Sequence, residues 1–295
     1  MTAPFGRVLT AMVTPFTADG SVDYPTAAAL AEHLVEQGND GLVVNGTTGE
    51  SPTTSDDEKL RLIQAVREAV GDRTTILAGV GTNDTHHSVE LARQAAQAGA
   101  HGALVVTPYY NKPPQDALIS HFTTIADATE LPVMLYDIPG RSGVALSHDT
   151  LVRLAHHPRI VANKDAKGDV FAAQRVLAET DLCYYSGDDA LNLPLISIGA
   201  VGVVSVIGHI VADRLAAMIE AYETGDVATA REINTALTSV VVGIMSRTQG
   251  VVMVKAALDI LGRPGGGTLR APMLAASQAE REQLRIDLKA AGFEL

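Results

Sequence analysis

The chain has 295 residues, 46% of them apolar and 19% charged, enough for one large domain with a sizeable core and a composition that argues against disorder. Its 22 basic and 34 acidic side chains leave a formal charge of -12, a field that repels phosphate backbones and anionic membrane surfaces, so neither nucleic acid nor membrane is expected as a partner. The single cysteine, Cys183, excludes an internal disulfide and any multi-cysteine metal site, and reads as a buried small hydrophobe.

The first residues, MTAPFGRVLTAMVTPF, show no secretory pattern, and no apolar run approaches the roughly 18 residues of a spanning helix; a cytoplasmic location is expected. Apolar segments bounded by turn signals occur at 8–13, 42–44, 76–80, 103–106, 133–136, 160–162, 182–185 and 203–207. Each reads as a buried strand. Successive starts lie 21 to 34 residues apart, room for a strand, a helix and two loops. Between them, residues 24–37 place Ala27, Leu30, Ala31 and Leu34 on one helical face, and 57–70 repeat the pattern with Leu60, Ile63 and Val66. Strands that are apolar almost throughout are covered on both faces, as parallel strands flanked by helices are. Eight such units predict an α/β fold, a (β/α)8 TIM barrel.

After about Val211 the strand signal stops, and helical periods at 213–222, 227–247, 251–261 and 278–291 predict a small C-terminal helical domain. The expected division is a catalytic barrel over 1–224 and the helical domain over 225–295, with Gly225 at the break. Two glycine clusters carry no nucleotide signal. GRPGGG at 262–267 lacks the Lys-Ser/Thr of a phosphate loop and reads as a flexible connector. Gly79-Val80-Gly81 has Asp84 where a dinucleotide fingerprint needs glycine.

In such a barrel the chemistry sits at the C-terminal ends of the strands. The second segment runs into Asn45-Gly46-Thr47-Thr48-Gly49-Glu50-Ser51, where exposed backbone amides and two hydroxyls suit a carboxylate or phosphate, although an ordinary tight turn has the same composition. The fourth ends in Thr107-Pro108-Tyr109-Tyr110 and the fifth in Tyr136-Asp137-Ile138-Pro139-Gly140-Arg141. The sixth is the most informative, because it leads into Lys164. Of the six lysines, Lys59, Lys112, Lys167, Lys255 and Lys289 fall in helix or loop contexts where a solvated charge is expected; Lys164 alone follows an apolar strand. Alternation puts it on one face with Ala162 and Ile160, the small alanine leaving space inside the barrel for its stem. Desolvation penalises an ammonium, and a neutral amine is a nucleophile toward carbonyls. A lysine at a strand end also commonly snorkels to water; the neighbouring hydroxyls, phenols and arginine weigh against that here. Together they describe Schiff-base chemistry on a 2-oxo acid, with Tyr and Thr hydroxyls relaying a proton, Arg141 offering a planar fork to a second carboxylate, and no metal required.

The motifs AMVTPF (11–16), GTTGES (46–51), VTPYYNKP (106–113), LYDIPGR (135–141), NKDAKGD (163–169) and SGDD (186–189) resemble the dihydrodipicolinate synthase family, within the pyruvate-dependent N-acetylneuraminate lyase superfamily, over nearly the whole chain. The resemblance implies that Lys164 forms the imine with pyruvate and that Thr47 and Thr48 hold the pyruvate carboxylate. It implies a proton relay of Tyr136, Thr47 and Tyr110, the last from a neighbouring subunit, and places Gly187 and Val204 in the pyruvate pocket. Arg141 would bind the carboxylate of L-aspartate 4-semialdehyde, and the product would be 4-hydroxy-tetrahydrodipicolinate, on the route to diaminopimelate and lysine. No cofactor beyond the covalent imine and no metal are implied, and the expected assembly is a homotetramer, a dimer of dimers. Two other readings share the residues: a related class I aldolase acting on a sugar acid or hydroxy-oxo acid, and a noncatalytic carboxylate-binding barrel.

Three departures from the family pattern stand out. Asn163 replaces a branched apolar residue, and alternation points it away from the barrel interior; Asp137 replaces an asparagine. In lysine-inhibited members an interface pocket uses histidine and glutamate, whereas the aligned positions here are Asp56, Lys59 and His87, with Asn83 and Tyr109 matching; weak or absent inhibition by lysine is expected. The pairs His86-His87 and His156-His157 read as solvated helix-end histidines, with no carboxylate spacing for a metal.

Overall fold

The computed structural model describes residues 3–295; Met1 and Thr2, at the head of the stretch read for a secretory pattern and of the expected barrel domain, lie outside the described residues. The strands are β1 (Val8–Ala11), β2 (Gly41–Val44), β3 (Thr75–Gly79), β4 (Gly102–Val106), β5 (Val133–Asp137), β6 (Ile160–Asp165), β7 (Cys183–Ser186) and β8 (Gly202–Ser205). They pair in parallel in chain order and close, β8 against β1. The helices that alternate with them are α1 (Tyr24–Glu36), α2 (Asp56–Val70), α3 (Thr85–Gln97), α4 (Gln115–Asp127), the single turn α5 (Pro139–Ser142), α6 (His148–Ala155), α7 (Val170–Leu177), α8 (Asn192–Ser197) and α9 (Gly208–Glu223). Beyond Gly225 come α10 (Val227–Ala236), α11 (Thr238–Val241) running into a π-helical turn, α12 (Gly250–Ile260) and α13 (Gln278–Ala290). The predicted barrel with trailing helices is the observed architecture. No single helix among the described residues is long and apolar enough to cross a membrane.

Local signals set the elements. Asp23 caps α1 by accepting from the Thr26 amide, and Ser55 with Glu58 makes a reciprocal capping box on α2. The α1 face that is buried is Ala27, Leu30, Ala31 and Leu34, as the spacing predicts. Two apolar layers result. Leu9, Val43, Leu77, Leu104, Met134, Ala162, Tyr185 and Val204 fill the barrel interior, while alternate strand residues such as Leu42, Ile76, Val105, Leu135 and Tyr184 pack outward with the helices. Phe5 closes the base, its amide donating to Tyr185 Oη at 3.2 Å. A Cβ on Gly102 would stand 2.7 Å from the Phe5 ring, so the plug needs glycine there.

Several expectations are corrected. Lys164 lies inside β6 rather than beyond it, because the strand continues through Asn163 to Asp165. Ile160 does not share its face: Ile160 packs in the outer layer and Ala162 in the inner. The reason is a register shift, in which Val133 opposes Ile160 and Met134 opposes Ala162, a bulge that interrupts alternation. Among the lysines read as solvated, Lys112 and Lys289 are exposed, but Lys255 is fully buried, Lys59 is 8% exposed and Lys167 is half-buried. Each has a partner supplied by the fold: Glu50 at 2.6 Å for Lys255, Asp137 at 2.9 Å for Lys167, and the Thr54 carbonyl at 2.5 Å for Lys59. The GRPGGG connector is packed: a Cβ on Gly265 would meet Leu30 at 2.7 Å, and Arg263 donates to the Ile210 carbonyl at 3.1 Å. Cys183 is half-buried on the interior side of β7.

Candidate active site

The turn after β2 is built by left-handed backbone at both ends, Asn45 (φ 60°) and Glu50 (φ 54°). Between them Gly49 fits closely: its carbonyl accepts from Thr14 Oγ1 at 2.7 Å, and a Cβ would lie 3.1 Å from the Met12 carbonyl. From below, Glu50 receives Lys255 Nζ at 2.6 Å and the Arg270 amide at 2.9 Å. Thr47 and Thr48 are therefore carried on a turn tied to the C-terminal region at a distance of more than 200 residues along the chain.

A cavity of about 410 Å³ opens beside this turn. Its wall includes Thr47, from the end of β2, and Tyr136 and Arg141, both from the end of β5. Lys164 stands one side chain behind that wall. It is 5% exposed, and its Nζ lies 4.1 Å from the centroid of the Tyr136 ring, a cation–π distance. Tyr136 and Lys164 are register partners on β5 and β6. Gly187, after β7, lies against the lysine stem: a Cβ there would be 2.9 Å from Lys164 Cγ, so glycine gives the side chain its channel. Val204 on β8 is buried in the same interior layer. Tyr136 is held from the backbone side, its carbonyl accepting from both the amide and Oγ1 of Thr107 at 3.0 Å.

The remaining sites fall elsewhere. Thr48, Lys164, Gly187 and Val204 are not in the cavity wall, and neither is Tyr110, which is 89% exposed with φ 76°. Burial raises the phenol of its neighbour Tyr109, which does line the cavity. The glycines dismissed as a nucleotide motif also belong to the site. A Cβ on Gly79 would lie 2.3 Å from the Asn45 carbonyl, and one on Gly81 2.3 Å from the Val106 amide; both glycines line the cavity. Close approach of three strand ends requires them, a signal visible in the sequence only as Gly-X-Gly after a strand.

The far side of the cavity is formed by Asp56, Lys59, Asn83 and His87. Asp56 receives His87 Nε2 at 2.9 Å and has Lys59 Nζ at 3.8 Å. Burial lowers the Lys59 ammonium and its two acidic neighbours oppose that. His157 likewise meets Asp127 at 3.1 Å, and the exposed His86 has Glu90, one turn on, at 3.7 Å; the partners of His87 and His157 come from about 30 residues away, while His156 is exposed. Among the described residues no group of three or more His, Cys, Asp or Glu is placed to hold a metal ion. Asp189, the end of SGDD, has a structural task the motif alone does not reveal: it accepts from Ser205 Oγ at 2.5 Å and from the Val206 and Ile207 amides at 2.8 and 3.0 Å, fixing the turn after β8.

Known proteins share this fold and much of this sequence. The model of the dihydrodipicolinate synthetase family matches residues 4–291. Over 292 residues the chain is 63% identical to 4-hydroxy-tetrahydrodipicolinate synthase 2 of Streptomyces coelicolor, covering 99% of this chain and 97% of that one. It is 64% identical to the 4-hydroxy-tetrahydrodipicolinate synthase of Kineococcus radiotolerans, covering 98% and 94%. The crystal structure of the dihydrodipicolinate synthase of Cyanidioschyzon merolae with lysine bound superposes with a TM-score of 0.95 at 41% identity, covering 99% of both chains.

Proposed function

Because the chain belongs to the dihydrodipicolinate synthetase family, we propose that the mouth of its barrel catalyses the reaction for which its curated relatives are named, joining pyruvate to L-aspartate 4-semialdehyde to give 4-hydroxy-tetrahydrodipicolinate. The observation that carries the assignment of residues is the amine of Lys164, 5% exposed and set over the Tyr136 ring. That amine adds to the pyruvate ketone and water leaves, giving an iminium. Loss of a methyl proton through Tyr136 and Thr47 turns the iminium into an enamine, whose carbon attacks the aldehyde of the second substrate. The amine of that substrate then displaces Lys164 from the imine and closes the ring. Thr47 and Thr48, on their braced turn, receive the pyruvate carboxylate. Arg141, exposed at the cavity edge, receives the carboxylate of the aldehyde. Gly187 and Val204 bound the pyruvate pocket beside the lysine.

The working unit in this reading is a homotetramer, a dimer of dimers, in which Tyr110 completes the relay of a neighbouring copy. Its support is the 89% exposure of Tyr110 in a left-handed conformation and the apolar Phe171 on α7, 70% exposed. Residues 1–224 form the catalytic unit and 225–295 a helical one, a division supported by Gly225 (φ 88°) between α9 and α10; the helical unit braces the Thr47-Thr48 turn through Lys255. The test of the reaction is a coupled assay that compares L-aspartate 4-semialdehyde with sugar-derived aldehydes, pyruvate being present in both. Preferred turnover of the semialdehyde is expected; equal or better turnover of the sugar aldehydes would reject the substrate assignment.

A further inference from the structure

Behind the strands that carry Tyr136 and Lys164 lies a buried charge cluster that the proposed reaction leaves unused. Asp137 and Asp165 are register partners at the ends of β5 and β6, one residue beyond the Tyr136 and Lys164 partners. Strand alternation turns Tyr136 and Lys164 inward and their successors outward. Both carboxylates are buried. One residue serves them, by its side chain and its backbone in turn: Lys167 brings Nζ to 2.9 Å from Asp137 Oδ2 and donates from its backbone amide to Asp165 Oδ1 at 3.0 Å. Its ammonium also donates to the Leu146 carbonyl at 2.7 Å, while the Leu146 amide donates to Asp137 Oδ1 at 3.2 Å. Burial raises both carboxyls, Asp165 to about 6, with Lys167 opposing the shift at each. The other ionisable groups that act on the cluster are Asp169, at the start of α7, and Tyr184 on β7.

The pairing of β5 with β6 needs such a tie. The two strands shift by one residue between Val133 and Met134, and a second slip of one residue would turn Lys164 outward and bring Asn163 or Asp165 into the barrel. We propose that Lys167 is a positioning residue, which joins the end of β5 to the end of β6 and so fixes the register in which Tyr136 meets Lys164. This rests on the imine chemistry assigned to Lys164 above. It also gives a reason for aspartate at 137: the carboxylate and the lysine are one device.

The test is rapid borohydride trapping of the pyruvate adduct on the full-length protein, comparing wild type, Lys167→Met and the double variant Asp137→Asn/Lys167→Met. Lys167→Met leaves a buried carboxylate without its cation and is expected to lose stability. The double variant removes that charge and recovers the stability, yet still lacks the tie. Both are expected to form the adduct about tenfold more slowly or worse, since small misplacements of reacting groups have effects of that size, with the half-saturating pyruvate concentration held within about twofold. A purely structural lysine would give a double variant recovered in stability and rate alike, and that result overturns the proposal. Absence of an adduct at Lys164 in the wild type would instead overturn the imine reading on which it stands.

Discussion

The ammonium of Lys255, on α12, stands 2.6 Å from the carboxylate of Glu50, the residue that closes the turn bearing Thr47 and Thr48. Both partners are buried, and the same ammonium lies 4.4 Å from the Phe16 ring. Lys255→Met would leave Glu50 charged and without its cation in the interior, which costs about 3–5 kcal/mol. Chemical denaturation should show that loss, and Glu50→Gln/Lys255→Met should recover most of it. A single variant as stable as the wild type would mean that the pair does not brace the turn.

Two buried histidines contribute stability that should be lost between about pH 6.5 and about pH 4. His209 is fully buried, its Nε2 accepting from the Val13 amide at 3.1 Å and its Nδ1 facing the Val206 carbonyl at 2.8 Å. Burial holds it to about 4, against 6.5 for a free imidazole, and burial does the same to His121. The unfolded chain therefore binds protons that the native state refuses, and the contribution is complete above 6.5 and lost as the pH falls toward 4. Urea unfolding across this range should show the histidine contribution rising with pH against the opposite contribution of Asp165, whose carboxyl is raised to about 6, and His209→Gln should reduce the slope by about one proton. An unchanged slope would contradict the buried neutral imidazole.

Arg270 reaches Glu58 with two nitrogens, at 2.8 and 2.6 Å, and also donates to the Thr53 carbonyl at 2.7 Å. Chiefly through that arginine, Glu58 is held at about 2 instead of 4.5. The pair stabilises the fold above 4.5, and its share disappears as the pH falls toward 2. The difference in thermal midpoint between wild type and Arg270→Met should shrink over the same interval. A difference independent of pH would assign the effect of Arg270 to packing on Phe16, 4.5 Å away, rather than to charge.

Catalytic roles separate by what each variant loses. Tyr136→Phe keeps the ring beside Lys164 and should retain the pyruvate adduct while slowing turnover about 10²- to 10⁴-fold, the range for a lost proton-transfer group. Arg141→Ala should raise KM for the aldehyde about 10- to 100-fold, as loss of a charged hydrogen bond does, and leave KM for pyruvate nearly unchanged. Steady-state kinetics with each substrate varied in turn checks both; an Arg141 variant that loses pyruvate affinity instead would reverse its assignment.

Added L-lysine should inhibit weakly or not at all. Lys59 places a second cation where an amino-acid effector would bring its own, and Asp56 is already engaged by His87 at 2.9 Å. An inhibition constant below about 1 mM, a binding free energy stronger than about -4 kcal/mol, would reject this.

Much of this was legible from sequence because barrel strands are short, apolar and evenly punctuated, and because Lys164 is the one lysine that interrupts such a run. What periodicity hid has physical causes. The bulge between Ile160 and Ala162 depends on how β6 meets β5, so alternation within β6 alone put Ile160 on the wrong face. Lys59, Lys167 and Lys255 looked solvated because their partners, Thr54, Asp137 and Glu50, come from loops and strands that helical spacing does not register. Gly79 and Gly81 matter only through backbone from β2 and β4 that the fold brings to within contact. Tyr110 lies outside the wall of the candidate cavity, and the role proposed for it would be played in a second copy.

The central claim is that the amine of Lys164, over the Tyr136 ring, takes pyruvate covalently. Mass spectrometry of the protein after borohydride reduction with pyruvate measures this directly. One reduced pyruvate per chain, located by peptide mapping on Lys164 and absent from Lys164→Ala, is the predicted result. An unmodified Lys164, or an adduct on any other lysine, would contradict the account.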